Sequence, residues 1–221
     1  MAERLTVIGG GLAGCEAAWQ AALCGVGVDL YEMRPNKSSP AHHTGALAEL
    51  VCSNSLRGAA LENAVGLLKE ELARLDSIVI TSARETAVPA GGALAVDRKR
   101  FSAGVELRIA SSPRIRVIRE EVREIPRDLP AIVACGPLPS DDLASAIASL
   151  LGAHASESVP LHYYDAASPI VAADSIDERP MFRRSRYDKG SGDDYLNIPL
   201  DPDGYTRLVE DLGLPVPRSF R

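Results

Sequence analysis

The chain has little that would tie it to a membrane, a metal or a secretory route. No apolar run reaches the ~18 residues that a membrane-spanning helix requires, so no membrane association is expected. The N-terminus lacks a basic segment followed by an apolar stretch and a cleavage site; the first apolar run is already a candidate strand, and no signal peptide is expected. The four cysteines (Cys15, Cys24, Cys52 and Cys135) show neither zinc nor redox spacing. His42 and His43 stand without a second group of ligands, which leaves no metal site. There is no internal repeat and no low-complexity tract. Positive charge is not in excess either. The net charge of −6 argues against wholesale nucleic-acid binding and leaves room only for a local basic face. A reducing, cytoplasmic setting is the default for such cysteine usage. Within those limits, 221 residues with 46% hydrophobic and 24% charged side chains describe an ordinary globular protein of one domain or one and a half.

What is present begins at Leu5. Leu5, Val7 and Ile8 make a short apolar strand, Gly9, Gly11 and Gly14 give G-x-G-x-x-G, and Ala13 to Cys24 read as a helix. Gly25 and Gly27 end that helix, and Val28 to Tyr31 run as a second strand into Glu32. This is a βαβ unit with a phosphate-binding turn. Gly9 allows the tight exit from the strand, Gly11 lets the backbone approach a pyrophosphate, and Gly14 lets helix and strand pack closely. The helix N-terminus, with Leu12 and Ala13 in its first turn, offers N–H groups and a positive dipole end to phosphates. Glu32 follows Gly14 at close to the ~20 residues expected of the acid that takes ribose hydroxyls. An acid here, with no arginine in its place, disfavours a 2′-phosphate, so FAD or NAD fits better than NADP. The plainer reading is a tight strand-to-helix turn with no ligand.

Further along, Pro35 to Gly45 has little periodicity and lies just past the ribose acid, where His42 and His43 could contact a cofactor. Cys52 precedes Ser53, Asn54 and Ser55; three small polar residues beside a thiol suit an exposed site, and a thiolate can act as nucleophile if a cation or helix end lowers its pKa. Cys15 and Cys24 read as buried structural thiols. Asn63 to Leu75 is an amphipathic helix with Leu67, Leu68, Leu72 and Leu75 on one side. Ser77 to Thr81 reads as a short strand. Paired glycines turn the chain into a strand at Ala93 to Val96, and Asp97 caps a helix to about Ala110. Ile115 to Ile118 and Glu121 to Ile125 alternate as a half-exposed pair of strands. Ala131 to Ala134 is an apolar strand, and Cys135-Gly136-Pro137 would pass the cofactor at the sheet's carboxyl edge. Ser140 caps a helix from Asp141 to Leu151, and a final helix covers Tyr205 to Leu212. Arg179, Arg183, Arg184, Arg186 and Lys189, with Phe182 and Tyr187 among them, form a local basic cluster of a kind that suits RNA; a solvated charged loop explains it equally well.

The stretches VIGGGLAGCEAAW, YEMRP, ELVCSNSLRG, VPAGGALAVDR and YYDAASPIV, with Arg186, Tyr187 and the run from Asp194 to Pro199, occur in this order across nearly the whole chain. In them the chain resembles the N-terminal half of the folate- and FAD-dependent tRNA uracil-5 methyltransferases, the TrmFO family. The resemblance implies an α/β, Rossmann-like FAD-binding domain of the two-dinucleotide-binding flavoprotein type over residues 1–152, and part of a smaller α+β insertion domain over residues 153–221. It implies FAD held by Gly9, Gly11, Leu12, Ala13, Gly14, Glu32, Met33, Arg34 and Gly136. NAD(P)H as reductant, methylenetetrahydrofolate as methylene source and tRNA as substrate follow from the same resemblance. Cys52 takes the place of a catalytic cysteine that handles the flavin–methylene species. The family's second cysteine, which attacks C6 of the uracil, has no counterpart, because no cysteine follows Cys135. Cys135 itself stands where a threonine is usual. The expectation is therefore a TrmFO-like FAD-binding chain that does not complete methyl transfer alone, with self-association or a partner chain covering its open face. The alternative is a non-catalytic nucleotide- or macromolecule-binding protein that reuses the fold.

Overall fold

The structure is a computed structural model, and it describes residues 4–127, 130–151, 173–185 and 192–212. Contacts divide the chain into two units, residues 1–88 with 93–169, and residues 89–92 with 170–221. The expected boundary at 152 and the YYDAASPIV motif lie outside the described residues.

The first unit starts as expected. Strand β1 (Arg4–Ile8) leads through the glycine turn into helix α1 (Leu12–Leu23), and β2 (Gly27–Tyr31) pairs with β1 in parallel, Val7 opposite Leu30. The chain then makes a long excursion. Its β3 (Ser55–Gly58) is followed by α2 (Ala64–Arg74), α3 (Ile78–Glu85), β4 (Ala87–Val88), β5 (Ala93–Val96) and α4 (Arg98–Ser111). In this excursion β3, β5 and β4 make a small antiparallel sheet. Strand β6 (Ile115–Ile118) returns beside β2, and β7 (Ala131–Val133) lies on the other side of β1, before helix α5 (Asp141–Leu150). The order β6-β2-β1-β7 is parallel throughout, so the chain switches direction across the sheet at β1. Open α/β sheets bind ligands at the carboxyl ends of the strands beside such a switch.

Val7, Val28 and Leu30 from the sheet, Cys15 and Ala18 from α1, Ile78 and Ala83 from α3, and Phe101, Val105 and Ile109 from α4 share one buried core. Both predicted caps form. Asp97 accepts from the Arg100 N–H at 3.0 Å, and Ser140 from that of Leu143 at 3.5 Å.

Four expectations are corrected. Residues 77–81 are not a strand. Ser77 caps α3 by accepting from the Ile80 N–H, while Glu16 on α1 accepts from the Ser77 hydroxyl at 2.6 Å and from the Val79 N–H at 3.1 Å. That cap and the burial of Ile78 and Ile80 override the strand preference of a β-branched run. Residues 121–125 form no strand with β6, whose partner is β2; Glu121 is instead drawn to Lys37 at 2.6 Å. Of the four leucines expected on one side of α2, Leu67, Leu68 and the C-cap Leu75 are exposed and Leu72 is half-buried, while Gly66 is buried, where a Cβ would lie 1.9 Å from the Ala60 carbonyl oxygen. Finally, Cys24 is exposed as the C-terminal cap of α1, whereas Cys15 is buried.

In the second unit, β8 (Phe182–Arg183) pairs antiparallel with β9 (Leu196–Asn197), and α6 (Pro202–Asp211) follows. The Tyr195 hydroxyl donates to the Ala90 carbonyl at 2.6 Å, which fastens residues 89–92 to this unit. Among the described residues no helix is long and apolar enough to cross a membrane, and no cluster of metal-ligating side chains occurs.

Candidate functional site

A cleft of about 310 Å³ opens at the carboxyl edge of the parallel sheet. All four strands feed it. Ile8 to Ala13 come from the end of β1, Tyr31 to Arg34 from β2, Glu120 to Val122 from beyond β6, and Ala134 to Ser140 from beyond β7. Its volume is at the lower end of ligand clefts, ~300–1,000 Å³. Every nucleotide residue expected from the sequence lines it except Gly14.

The glycine turn explains the cleft's floor. Gly9 has φ +108°, and a Cβ there would lie 2.6 Å from the Ala134 carbonyl oxygen, so β7 could not come as close to any other residue. A Cβ on Gly14 would lie 1.7 Å from the Gly9 carbonyl oxygen, which makes this the contact where helix meets strand. Gly11 is different: a Cβ there meets nothing within 4 Å. Its side-chain space is cleft space, as a closely approaching ligand requires. Gly11 is also the N-cap of α1, and among the described residues no side-chain cap accepts from the helix's first turn. Unclaimed N–H groups and the dipole end at this point favour an anion.

The wall beside the turn is charged and fully organised. Glu32 is 5% exposed. Its Oε1 accepts from the Arg34 backbone N–H at 3.0 Å and from Arg34 Nε at 2.9 Å. Its Oε2 accepts from the Gly10 N–H at 2.9 Å and from Arg34 Nη2 at 2.9 Å. Arg34 is 1% exposed, and its Nη1 donates to Glu49 Oε2 at 2.7 Å. Glu49 in turn accepts from the backbone N–H groups of His43 and Thr44, at 3.0 and 3.2 Å. Burial alone would raise the Glu32 carboxyl, but the hydrogen bonds from Arg34 outweigh it and hold the group below the usual carboxylate range. Burial works the same way at Glu49 and is outweighed by the His43 and Thr44 hydrogen bonds, with Arg34 adding to them. The wall is thus an arginine held between two ionised carboxylates.

His42 lines the cleft with Nδ1 2.6 Å from the Ser39 hydroxyl. Burial, and then the nearby Arg34 charge, keep its imidazole below its ordinary value and favour the neutral ring. Cys135 and Gly136 sit on the opposite rim, Gly136 with φ +69° and open space where a side chain would point. Burial pushes the Cys135 thiol up, so it is poorly suited to act as a thiolate. Cys15, below the turn, is pushed up to about 12 by burial and then by the Glu32 charge, and is inert.

Cys52 does not line the cleft; its neighbour Val51 does. Its loop is pinned from outside, with Arg98 donating to the Cys52 carbonyl oxygen and Asn54 bridging to Val96 through both its backbone carbonyl and its side-chain amide. In the second unit, Arg179 is engaged by Asp177 at 2.7 and 2.8 Å and Arg183 lies 3.7 Å from Glu178, so two of the five expected basic residues already have acidic neighbours. Arg184 is exposed; Arg186 and Lys189 lie outside the described residues. Sequence reasoning passed over Gly10 and Glu49. The middle glycine of the G-G-G run and the acid of ELVCSNS were the only signals for them.

The chain matches the family model described as glucose inhibited division protein A over residues 4–213. It belongs to the glucose inhibited division protein A family. Within that family it is similar to the methylenetetrahydrofolate–tRNA-(uracil-5-)-methyltransferases TrmFO. It is 58% identical to that of Citrifermentans bemidjiense over 212 residues, and 59% identical to that of Geotalea uraniireducens over 210. These alignments cover 96% and 95% of this chain and 47% of each relative, so the chain spans about half the length of the curated relatives it matches. Among solved structures, GidA of Aquifex aeolicus aligns over 57% of this chain and 21% of its own, with 21% identity and a TM-score of 0.45.

Proposed function

We propose that this chain of the glucose inhibited division protein A family binds FAD, with the adenosine end in the cleft at the carboxyl edge of the sheet, and that it derives from a TrmFO-type tRNA methyltransferase. One observation carries the reading. The open Gly11 position, the uncapped start of α1 and the Glu32 carboxylate meet in a single cleft. In this reading the N–H groups of Leu12 and Ala13 face the pyrophosphate, Glu32 faces the ribose, and Gly136 allows the rest of the cofactor to pass the end of β7. A bound flavin would supply redox chemistry to a folate-borne one-carbon unit, with NAD(P)H as the electron source. Cys52, beside the cleft-lining Val51, is the candidate for a covalent role there. The uracil-attacking cysteine is not among this chain's four, so these residues account for nucleotide binding and not for the whole transfer. Binding of tRNA is assigned to Arg179, Arg183, Arg184, Arg186 and Lys189.

Titration of the purified chain with FAD tests the reading. Binding is expected to quench flavin fluorescence and shift the absorbance bands; unchanged spectra at saturating protein would exclude it. Methyl transfer to tRNA by the chain alone would overturn the assignment of binding without complete catalysis. A second reading, a nucleotide-binding protein with no catalytic part, is favoured by the position of Cys52 outside the cleft lining. Equal reactivity of Cys52 with an alkylating reagent in the presence and absence of FAD would support that reading over the first.

A further inference from the structure

The acid assigned to the ribose is not an open acceptor. A carboxylate offers about four lone-pair sites, and Glu32 uses them on Gly10, on the Arg34 backbone and on two nitrogens of the Arg34 guanidinium. An exclusive Glu32–Arg34 pair of this kind would be neutral and a poor partner for incoming hydroxyls. Glu49 changes that balance. It takes the remaining edge of the guanidinium at 2.7 Å, is itself only 12% exposed at its side chain, and leaves the triad with one net negative charge. An arginine shared between two carboxylates donates less strongly to each, so its two side-chain bonds to Glu32 give way more easily to a ligand's hydroxyls. Glu49 reaches across from the loop that begins at His43, because the two backbone N–H groups there fix its carboxylate.

We infer that Glu49 is a positioning residue for the nucleotide site: it keeps hold of the Arg34 guanidinium, so that the ribose 2′- and 3′-hydroxyls can displace Arg34's side-chain hydrogen bonds on Glu32. Glu49 itself lines the cleft, but this role runs through Arg34 and not through a contact of its own with the nucleotide. The inference rests on the nucleotide reading above and deepens it by assigning the selectivity for a hydroxylated ribose to a three-residue network.

Calorimetric titration of the full chain with ADP and with 2′,3′-dideoxy-ADP tests it. The native chain is expected to prefer ADP. Glu49→Gln keeps the side chain's size and an acceptor oxygen for one of the two loop N–H groups, but removes the charge. It is expected to weaken ADP by about tenfold, the scale of one charge-assisted hydrogen bond, while dideoxy-ADP changes less than about twofold. Glu49→Asp, which keeps the charge at shorter reach, should fall between, and it carries the test if the Gln variant does not fold. Parallel losses for both ligands would show a merely structural role and overturn the inference, as would unchanged ADP binding. Equal binding of both ligands by the native chain would sink the ribose assignment of Glu32 and the inference with it. No binding of either would sink the nucleotide reading itself.

Discussion

Arg34 and Arg179 show how differently one residue type behaves in the two units. Arg34 is buried, and both of its acidic partners, Glu32 and Glu49, are fixed by further hydrogen bonds. Arg179 has its side chain 89% exposed and among the described residues pairs with Asp177, two residues away. A desolvated charge must be paired, and removing one partner costs far more than the pair's net worth. An exposed pair is worth little and opens easily. The buried arginine is therefore part of the cleft's construction. The exposed one is a surface charge that a phosphate backbone can take over at small cost.

The largest effect expected from this contrast is at Arg34. Arg34→Met strands the buried Glu32 carboxylate and the half-buried Glu49, and should lower unfolding stability near neutral pH by about 3–5 kcal/mol, measured by denaturant titration. A loss under about 1 kcal/mol would remove the distinction between the two arginines. The acid response should change with it. In the native chain burial would raise Glu32 and Glu49, yet their hydrogen bonds hold both below the ordinary 4.5. The stability they contribute is complete above that value and is lost as pH falls through their lower folded values. Without the Arg34 guanidinium, burial at Glu32 is opposed only by the backbone N–H groups of residue 34 and Gly10, its folded pKa rises, and acidification should destabilise the variant less than the native chain. Thermal unfolding followed by Trp19 fluorescence over this range separates the two slopes.

Next in size is the turn. Gly14→Ala puts a methyl 1.7 Å from the Gly9 carbonyl oxygen, a backbone atom that cannot swing away as a flexible side chain would. A cost of about 1–3 kcal/mol or more is expected, together with lost flavin binding. Gly11→Ala meets nothing, so stability should stay within about 0.5 kcal/mol while flavin affinity falls. If both variants lost stability equally, Gly11 would be structural and its open space would not be ligand space. The smallest effect belongs to the second unit. Asp177→Asn releases Arg179 and should raise tRNA affinity by no more than about twofold to fivefold at low salt, with the gain gone at high salt. Filter binding at two ionic strengths reads it.

The sequence reading succeeded where the cause is local. The glycine spacing, the caps at Asp97 and Ser140, and the apolar strands at Val7, Val28 and Ile132 each declare themselves within a few residues. It failed where the cause comes through space. The run from Ser77 to Thr81 has strand composition, yet Glu16, which is far away in the chain, helps turn it into a helix start. Likewise Glu32 fits its fingerprint by position, but nothing nearby in sequence shows that Gly10, Arg34 and Glu49 would claim it and its partner. Leu67 and Leu68 mark a helix by period, though its packed face is set by Gly66 against Ala60.

The central claim is that the cleft takes the adenosine end of a flavin dinucleotide. Parallel fluorescence titrations of the native chain with FAD and with FMN test it most directly, because FMN carries the same isoalloxazine ring without the ADP portion. Binding of FAD, displaceable by ADP, with no binding of FMN at the same concentrations is the predicted result. Equal binding of both flavins, or FAD that ADP cannot displace, would contradict it.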